Sequence, residues 1–217
     1  MTVKLYHYEH CPFCVRVRMA LGLLKVPWKS LMVPYDEEDF LIKLTGKKML
    51  PIMDFGDLVT NESLEIIERL DIDNLLGMEL LKDTAQCQKI DTLLDKIGKD
   101  LHSLCMPYWI YTKEFNSTSR NYFQKKKEKK RGPFRDLIKN KDKYLKGLEV
   151  TLKEVEDHLD PYFISDFSIF DIMLASHLWG MYIFPEFQFS KKLHNYLQDV
   201  KEKCNFEYHE DLWNLKK

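Results

Sequence analysis

The stretch VKLYHYEHCPFCVRVRMALGLL, residues 3–24, constrains this chain more than any other. Val3 to Tyr8 is a short run of β-formers that leads into Cys11-Pro12-Phe13-Cys14. Apolar residues then recur at helical spacing. Val15, Met19 and Gly22/Leu23 form one stripe, with Val17, Leu21 and Leu24 beside it. Arg16, Arg18 and Lys25 fall on what reads as the polar side. A strand running straight into a helix, with a cysteine pair at the junction, predicts an α/β module with its chemistry at the helix start.

The next segments extend this pattern. Trp28 to Val33 reads as a second strand, and Asp36 to Leu44 as a short helix with Gly46 as its stop. Leu50 to Phe55, opened by Pro51, reads as a third strand. Gly56-Asp57 turns the chain into a fourth, Leu58-Val59-Thr60. Asn61 is the expected cap of a helix reaching about Leu70. From Asp71 to Asp83 the pattern breaks, with Asn74 and Gly77 marking a linker. Beyond it Ile90, Leu94, Ile97, Leu101 and Leu104 recur at helical spacing, as do Leu145, Leu148, Leu152, Val155 and Leu159. Ser168 and Asp171 have capping-box spacing before an apolar run. That run, Ile169 to Phe184, is interrupted by Asp171 and His177 and is too short to span a bilayer, so it predicts a buried helix. The expected fold class is α/β plus all-α: an α/β domain over 1–75, a linker over 76–84 and a helical domain over 85–217.

Two cysteines three apart at a helix start can do specific work. The free N–H groups and the helix dipole favour negative charge there, so a Cys11 thiolate should form below the ordinary thiol pKa of about 8.5. Pro12 suits the first turn because its missing N–H costs nothing there. Cys14 lies one turn in and can close a disulfide with Cys11. A zinc site needs further ligands, and Cys87, Cys105 and Cys204 are isolated, without a second pair, so no metal is expected. They read as inert buried thiols. The cysteine count of five is odd, and the first residues lack the apolar core of a secretory signal. Both point to a reducing, cytoplasmic setting rather than a disulfide scaffold.

Two further motifs bear on the same site. Leu50-Pro51 is at least a strand start. In a thiol-redox fold this proline is cis and turns the Leu50 backbone toward a peptide substrate. Asn61-Glu62-Ser63 is at least a helix cap. It could also bind a γ-glutamyl end, with Ser63 and the free N–H groups on the carboxylate and Glu62 on the ammonium. His10 reads as a loop residue or as a cation beside Cys11. Lys47 and Lys48 read as a solvated pair or as carboxylate ligands. The basic run 125–131 reads as a solvated helix face. The net charge of −1 gives no overall field toward nucleic acid or an anionic membrane.

Together Cys11-Pro12-Phe13-Cys14, Leu50-Pro51 and Glu62-Ser63 resemble the glutaredoxin signature. With the helical second half, the chain resembles the two-domain bacterial glutaredoxins of the glutaredoxin 2 type, which share the glutathione-transferase fold. Gly46-Lys47-Lys48, Glu114-Phe115, Tyr122-Phe123 and Lys126-Lys127-Glu128 support the resemblance along nearly the whole chain. Phe13 stands where tyrosine is commoner, and Met106-Pro107-Tyr108 where relatives often read Leu-Pro-Arg.

The resemblance implies a thioredoxin-like domain followed by a transferase-like helical domain, and a monomer. It implies glutathione as co-substrate, and disulfide or glutathionylated proteins as partners. Cys11 would be the nucleophile and Cys14 the resolving thiol. Phe13, Leu50, Pro51, Glu62 and Ser63 would hold glutathione. The rivals are a cysteine-type glutathione transferase, which needs no resolving thiol, and a glutaredoxin-like interaction module. A disulfide oxidase or isomerase would need an oxidising compartment.

Overall fold

The computed structural model describes residues 2–112 and 114–207; the last ten residues of the expected helical domain lie outside the described residues. The first half runs β1 (Val3–His7), α1 (Pro12–Leu23), β2 (Trp28–Met32), α2 (Asp39–Thr45), β3 (Ile52–Asp54), β4 (Val59–Thr60) and α3 (Ser63–Leu70). The sheet order is β2-β1-β3-β4. β1 and β2 are parallel, with Val3 opposite Trp28 and His7 opposite Met32. A parallel pair needs a crossover, and α1 supplies it. β3 then runs antiparallel to β1, and β4 to β3. Gly46 ends α2 in the left-handed region at φ 76°, where a Cβ would be strained. This is a thioredoxin-like module.

The second half is helical: α4 (Thr84–Trp109), α5 (Ser117–Arg131), α6 (Phe134–Lys139), α7 (Lys141–His158), α8 (Ile169–Leu178) and α9 (Lys191–Lys203). Short 3-10 turns cover Met78–Lys82 and Trp179–Ile183. The capping box forms as expected. Asp171 accepts from the N–H groups of Phe163 and Ser168, both at 2.9 Å, and from the Tyr196 hydroxyl at 2.9 Å. Every residue of α8 is buried, which explains a run apolar on all sides. Among the described residues no helix is long and apolar enough to cross a membrane.

Several local expectations change. The cap of α3 is Glu62, not Asn61; the Asn61 amide turns away and donates to Thr45 Oγ1 at 3.4 Å. The segment after α3 is anchored at Asp71 although residues 72–75 are exposed. The buried Asp71 carboxylate accepts from the N–H groups of Leu75 (2.7 Å) and Leu76 (2.9 Å), and the Leu76 carbonyl accepts from Ile169. The largest change concerns α1. Its expected polar side is covered, because α1 packs against α3 within the module and against α8 and α9 from the helical half. Arg16 is therefore buried, and Arg18 is half-buried and paired with Glu9 at 2.9 Å. One continuous core runs from Leu5 on β1 through Val17 and Leu21 on α1 to Leu174 on α8 and Leu197 on α9.

Candidate active site

Cys11 occupies the N-cap of α1 with extended backbone, and Pro12 opens the helix. Cys11 is half-buried, Cys14 is fully buried one turn in, and all five cysteines are free thiols. The sequence makes this arrangement locally: the strand ends, proline starts a helix with pre-set φ, and the cap residue looks down the helix axis. The Cys11 thiol is held below its ordinary range. A hydrogen bond from Cys14 is the main cause, and the N–H groups of Cys14 and Phe13 and the charge of Lys127 add to it against the cost of burial. Burial and the neighbouring Cys11 push Cys14 well up. Cys14 Sγ in turn accepts from the Tyr8 N–H at 3.4 Å. The pair is thus asymmetric: ionisation is favoured at Cys11 at the mouth and disfavoured at Cys14 behind it.

Leu50 and Pro51, joined by a cis bond, stand opposite, with the Leu50 carbonyl 3.9 Å from Cys11 Sγ. An interdomain cleft of about 1190 Å³ opens beside them. Phe13, Arg16, Leu50, Pro51, Glu62 and Ser63 line one wall; Asp91, Asp95, Lys99, His102, Arg131 and His177 line the other. Five candidate ligand residues, Phe13, Leu50, Pro51, Glu62 and Ser63, therefore share one cleft. Phe13 is 47% exposed, enough to offer its ring to a ligand, and its ring stacks edge-on with His177. Arg16, whose guanidinium lies 5.1 Å from the Phe13 ring centroid, donates to Ser63 Oγ at 3.4 Å. Burial pulls Arg16 down to about 10, so it stays a cation at neutral pH. Burial pulls His102 and His177 down to about 3, so both are neutral there.

Other candidates resolve differently. His10 is buried, not a free loop residue. Its Nδ1 lies 2.9 Å from Glu114 Oε1, and its ring packs among Tyr8, Tyr35, Trp109, Phe115 and Phe123. Lys48 is held by Glu38 at 2.7 Å, while Lys47 is exposed. Cys105 and Cys204 are buried, but Cys87 is half-exposed, its Sγ 3.2 Å from the Leu81 carbonyl oxygen; burial raises all three. Among the described residues no group of three or more His, Cys, Asp and Glu could hold a metal.

Sequence reasoning missed Arg16 and Lys127. The basic run is only partly a solvated face: Lys125, Lys126, Lys129 and Lys130 are exposed, whereas Lys127 and Arg131 are half-buried. Arg131 donates to the Lys99 carbonyl and to Ser103 Oγ, both at 2.9 Å, and so ties α5 to α4. A signal was present. Ser119, Phe123, Lys127 and Arg131 recur every four residues, and Ser119 and Phe123 are fully buried.

A family model described as the glutaredoxin 2 C-terminal domain matches residues 89–212. The chain belongs to the glutaredoxin 2 family. Residues 5–74 match the glutathione S-transferase N-terminal domain. Glutaredoxin 2 of Escherichia coli (strain K12) is 30% identical over 158 residues, 71% of this chain and 72% of that protein. A crystal structure of glutaredoxin 2 from Salmonella typhimurium in complex with glutathione superposes with a TM-score of 0.84 at 26% identity, covering 97% of this chain and 98% of that one. Glutathione transferase GSTFuA2 from Phanerochaete chrysosporium superposes with a TM-score of 0.72 at 16% identity over 95% of this chain and 100% of that one, a likeness of fold. Membership of the glutaredoxin 2 family accounts for the pairing of a thioredoxin-like module with a helical half.

Proposed function

We propose that this glutaredoxin 2 family member is a glutathione-dependent thiol–disulfide oxidoreductase acting on protein–glutathione mixed disulfides and protein disulfides. The observation that carries the reading is the asymmetric pair: Cys11 at the helix cap, held toward its thiolate, with the protonated Cys14 behind it. The thiolate is the reactive form of a cysteine.

Cys11 attacks the glutathionyl sulfur of a mixed disulfide. A Cys11–glutathione disulfide forms, and the substrate leaves as a thiolate that takes a proton from solvent. A second glutathione thiolate then attacks the glutathionyl sulfur of that disulfide, forms oxidised glutathione and frees Cys11 as a thiolate. On a protein disulfide, Cys14 loses its proton and displaces the substrate from Cys11, leaving a Cys11–Cys14 bridge for glutathione to reduce. Glutathione binds with its sulfur at Cys11, its backbone along Leu50-Pro51 and its γ-glutamyl end at Glu62 and Ser63, beside the Phe13 ring. Their common position on one cleft wall supports this placement. Such chemistry works in a reducing compartment with a glutathione pool.

The test is reduction of a glutathione mixed disulfide, coupled to glutathione reductase, for wild type, Cys11→Ser and Cys14→Ser. The expected result is a dead Cys11→Ser and a substantially active Cys14→Ser. Wild-type inactivity, or activity that survives loss of Cys11, overturns the reading. The match of residues 5–74 to the transferase N-terminal domain favours one alternative, conjugation of glutathione to small electrophiles. That alternative predicts conjugation at a rate at least equal to disulfide reduction.

A further inference from the structure

The helical half carries a group whose place the disulfide chemistry does not explain. Lys127 projects from α5 toward the α/β module, unlike its exposed neighbours Lys125, Lys126, Lys129 and Lys130. Its ammonium lies 5.4 Å from the Phe123 ring centroid and 5.8 Å from that of Tyr35. Tyr35, in the loop after β2, packs with Cys11 against the small cluster of Tyr8, Cys14 and Leu50. So the aromatic wall behind Cys11 has a cation standing over it. No carboxylate is among the groups that chiefly set the charge of Lys127; those are burial, Arg131, Cys11, Lys126 and Lys130.

We propose that Lys127 is the counter-ion of the Cys11 thiolate, supplied to the reaction centre by the helical half of the chain. The proposal rests on the reading of Cys11 as the nucleophile and adds a positioning residue to it. A lysine in a half-buried, like-charged neighbourhood is costly unless an anion offsets it. The Cys11 thiolate is the anion within its reach: its charge favours the Lys127 ammonium, and the ammonium favours the thiolate. The other groups that face the pair are Cys14 and Arg16 on α1, Tyr8 and Tyr35 on the module, His102 on α4, and Arg131, Lys126 and Lys130 on α5. His10 and Glu114 pair with one another. Arg16 is a cation at neutral pH and faces the cleft side near Ser63. The two cations come from different halves of the protein, Arg16 from the α/β module and Lys127 from the helical half.

The experiment reads the charge state of Cys11 directly. Iodoacetamide alkylation of Cys11, followed by peptide mass mapping across pH, gives its titration midpoint in wild type, Lys127→Met and Lys127→Arg. Loss of the counter-ion should raise the midpoint by about one pH unit. A higher pKa also makes the thiolate more nucleophilic, with a Brønsted slope of about 0.4–0.5, so the net rate below both midpoints should fall about threefold. Lys127→Arg should restore both. A midpoint in Lys127→Met equal to wild type overturns the proposal, as does a shift that Lys127→Arg fails to reverse. The reverse measurement needs no change at Lys127. In Cys11→Ser the Lys127 amine should be reductively methylated faster than in wild type near neutral pH, because its partner anion is gone. Equal rates overturn the proposal. Neither readout involves glutathione, so either can fail while the disulfide-reducing function stands.

Discussion

Cys11 and Cys14 differ in environment although they share one helical turn. Cys11 faces free N–H groups at the cap, while Cys14 meets apolar atoms and the Tyr8 N–H. A cap residue looks along the axis and a first-turn residue looks into the core, so the split in reactivity follows from helix geometry. Ser63 sits at the corresponding start of α3, where its hydroxyl accepts from Arg16 and opens on the cleft. On the proposed function, Ser63→Ala removes one hydrogen bond to the γ-glutamyl carboxylate. A net loss of about 1 kcal/mol raises KM for glutathione about fivefold and leaves kcat within about twofold. Steady-state kinetics with glutathione as the varied substrate checks this, and an unchanged KM removes Ser63 from the binding site.

At the scale of elements, α1 is the part on which both halves close. It carries Cys11 and Cys14 at its start, packs on α3 along one side and meets α8 and α9 along the other. Gly22 marks the tightest approach: a Cβ there would stand 1.9 Å from the Cys204 carbonyl oxygen at the end of α9. That atom is backbone and cannot turn aside. Gly22→Ala therefore forces α9 off α1 and should destabilise the protein by about 1–3 kcal/mol, the range of an overpacked core. Equilibrium urea unfolding measures it, and a variant as stable as wild type would mean the two helices separate at little cost. Position 22 also shows why a glycine in a helical run is worth noticing in sequence, since alanine is otherwise the better helix former by about 1 kcal/mol.

At the scale of the whole molecule, His7, His102 and His177 among the described residues are held in neutral form. Burial lowers His7 to about 4, and His102 and His177 to about 3, from an ordinary value of 6.5. The unfolded chain binds protons at these positions below about pH 6.5, and the folded protein does not until much lower pH. Their contribution to stability is therefore full above that pH and is lost as pH falls toward the folded values. Each such group costs about 1.4 kcal/mol per pH unit across that window, and three together cost about 4 kcal/mol per unit. Acidification from about pH 7 to about pH 5 should therefore remove about 6 kcal/mol, against an ordinary domain stability of about 5–15 kcal/mol. Urea midpoints across that range test this; a flat profile would mean that the histidines protonate within the fold. His7 supports the sheet through Ser30, while His102 and His177 line the interdomain cleft, so acid should loosen the module and the cleft together.

The sequence by itself determined what is local. A strand, a proline-opened helix and a cap cysteine need only neighbouring residues, so Cys11 at the start of α1 was legible, as were Gly46 ending α2 and the Ser168–Asp171 capping box. Leu50-Pro51 and Glu62-Ser63 could be read as elements of one site through their resemblance to a known signature. What only the tertiary structure decided is which faces the second half covers. Periodicity marks polar residues but carries no sign of a partner helix that will bury them, so Arg16 and Lys127 read as solvent-facing. Asn61 likewise has cap chemistry, yet its amide goes to Thr45 of α2, a contact formed only when β3 and β4 bring the two together. Burial of charge is a property of packed elements: Arg16 is covered by α3 and α8 together, and Lys127 is brought over the Tyr35 ring only by the helical half.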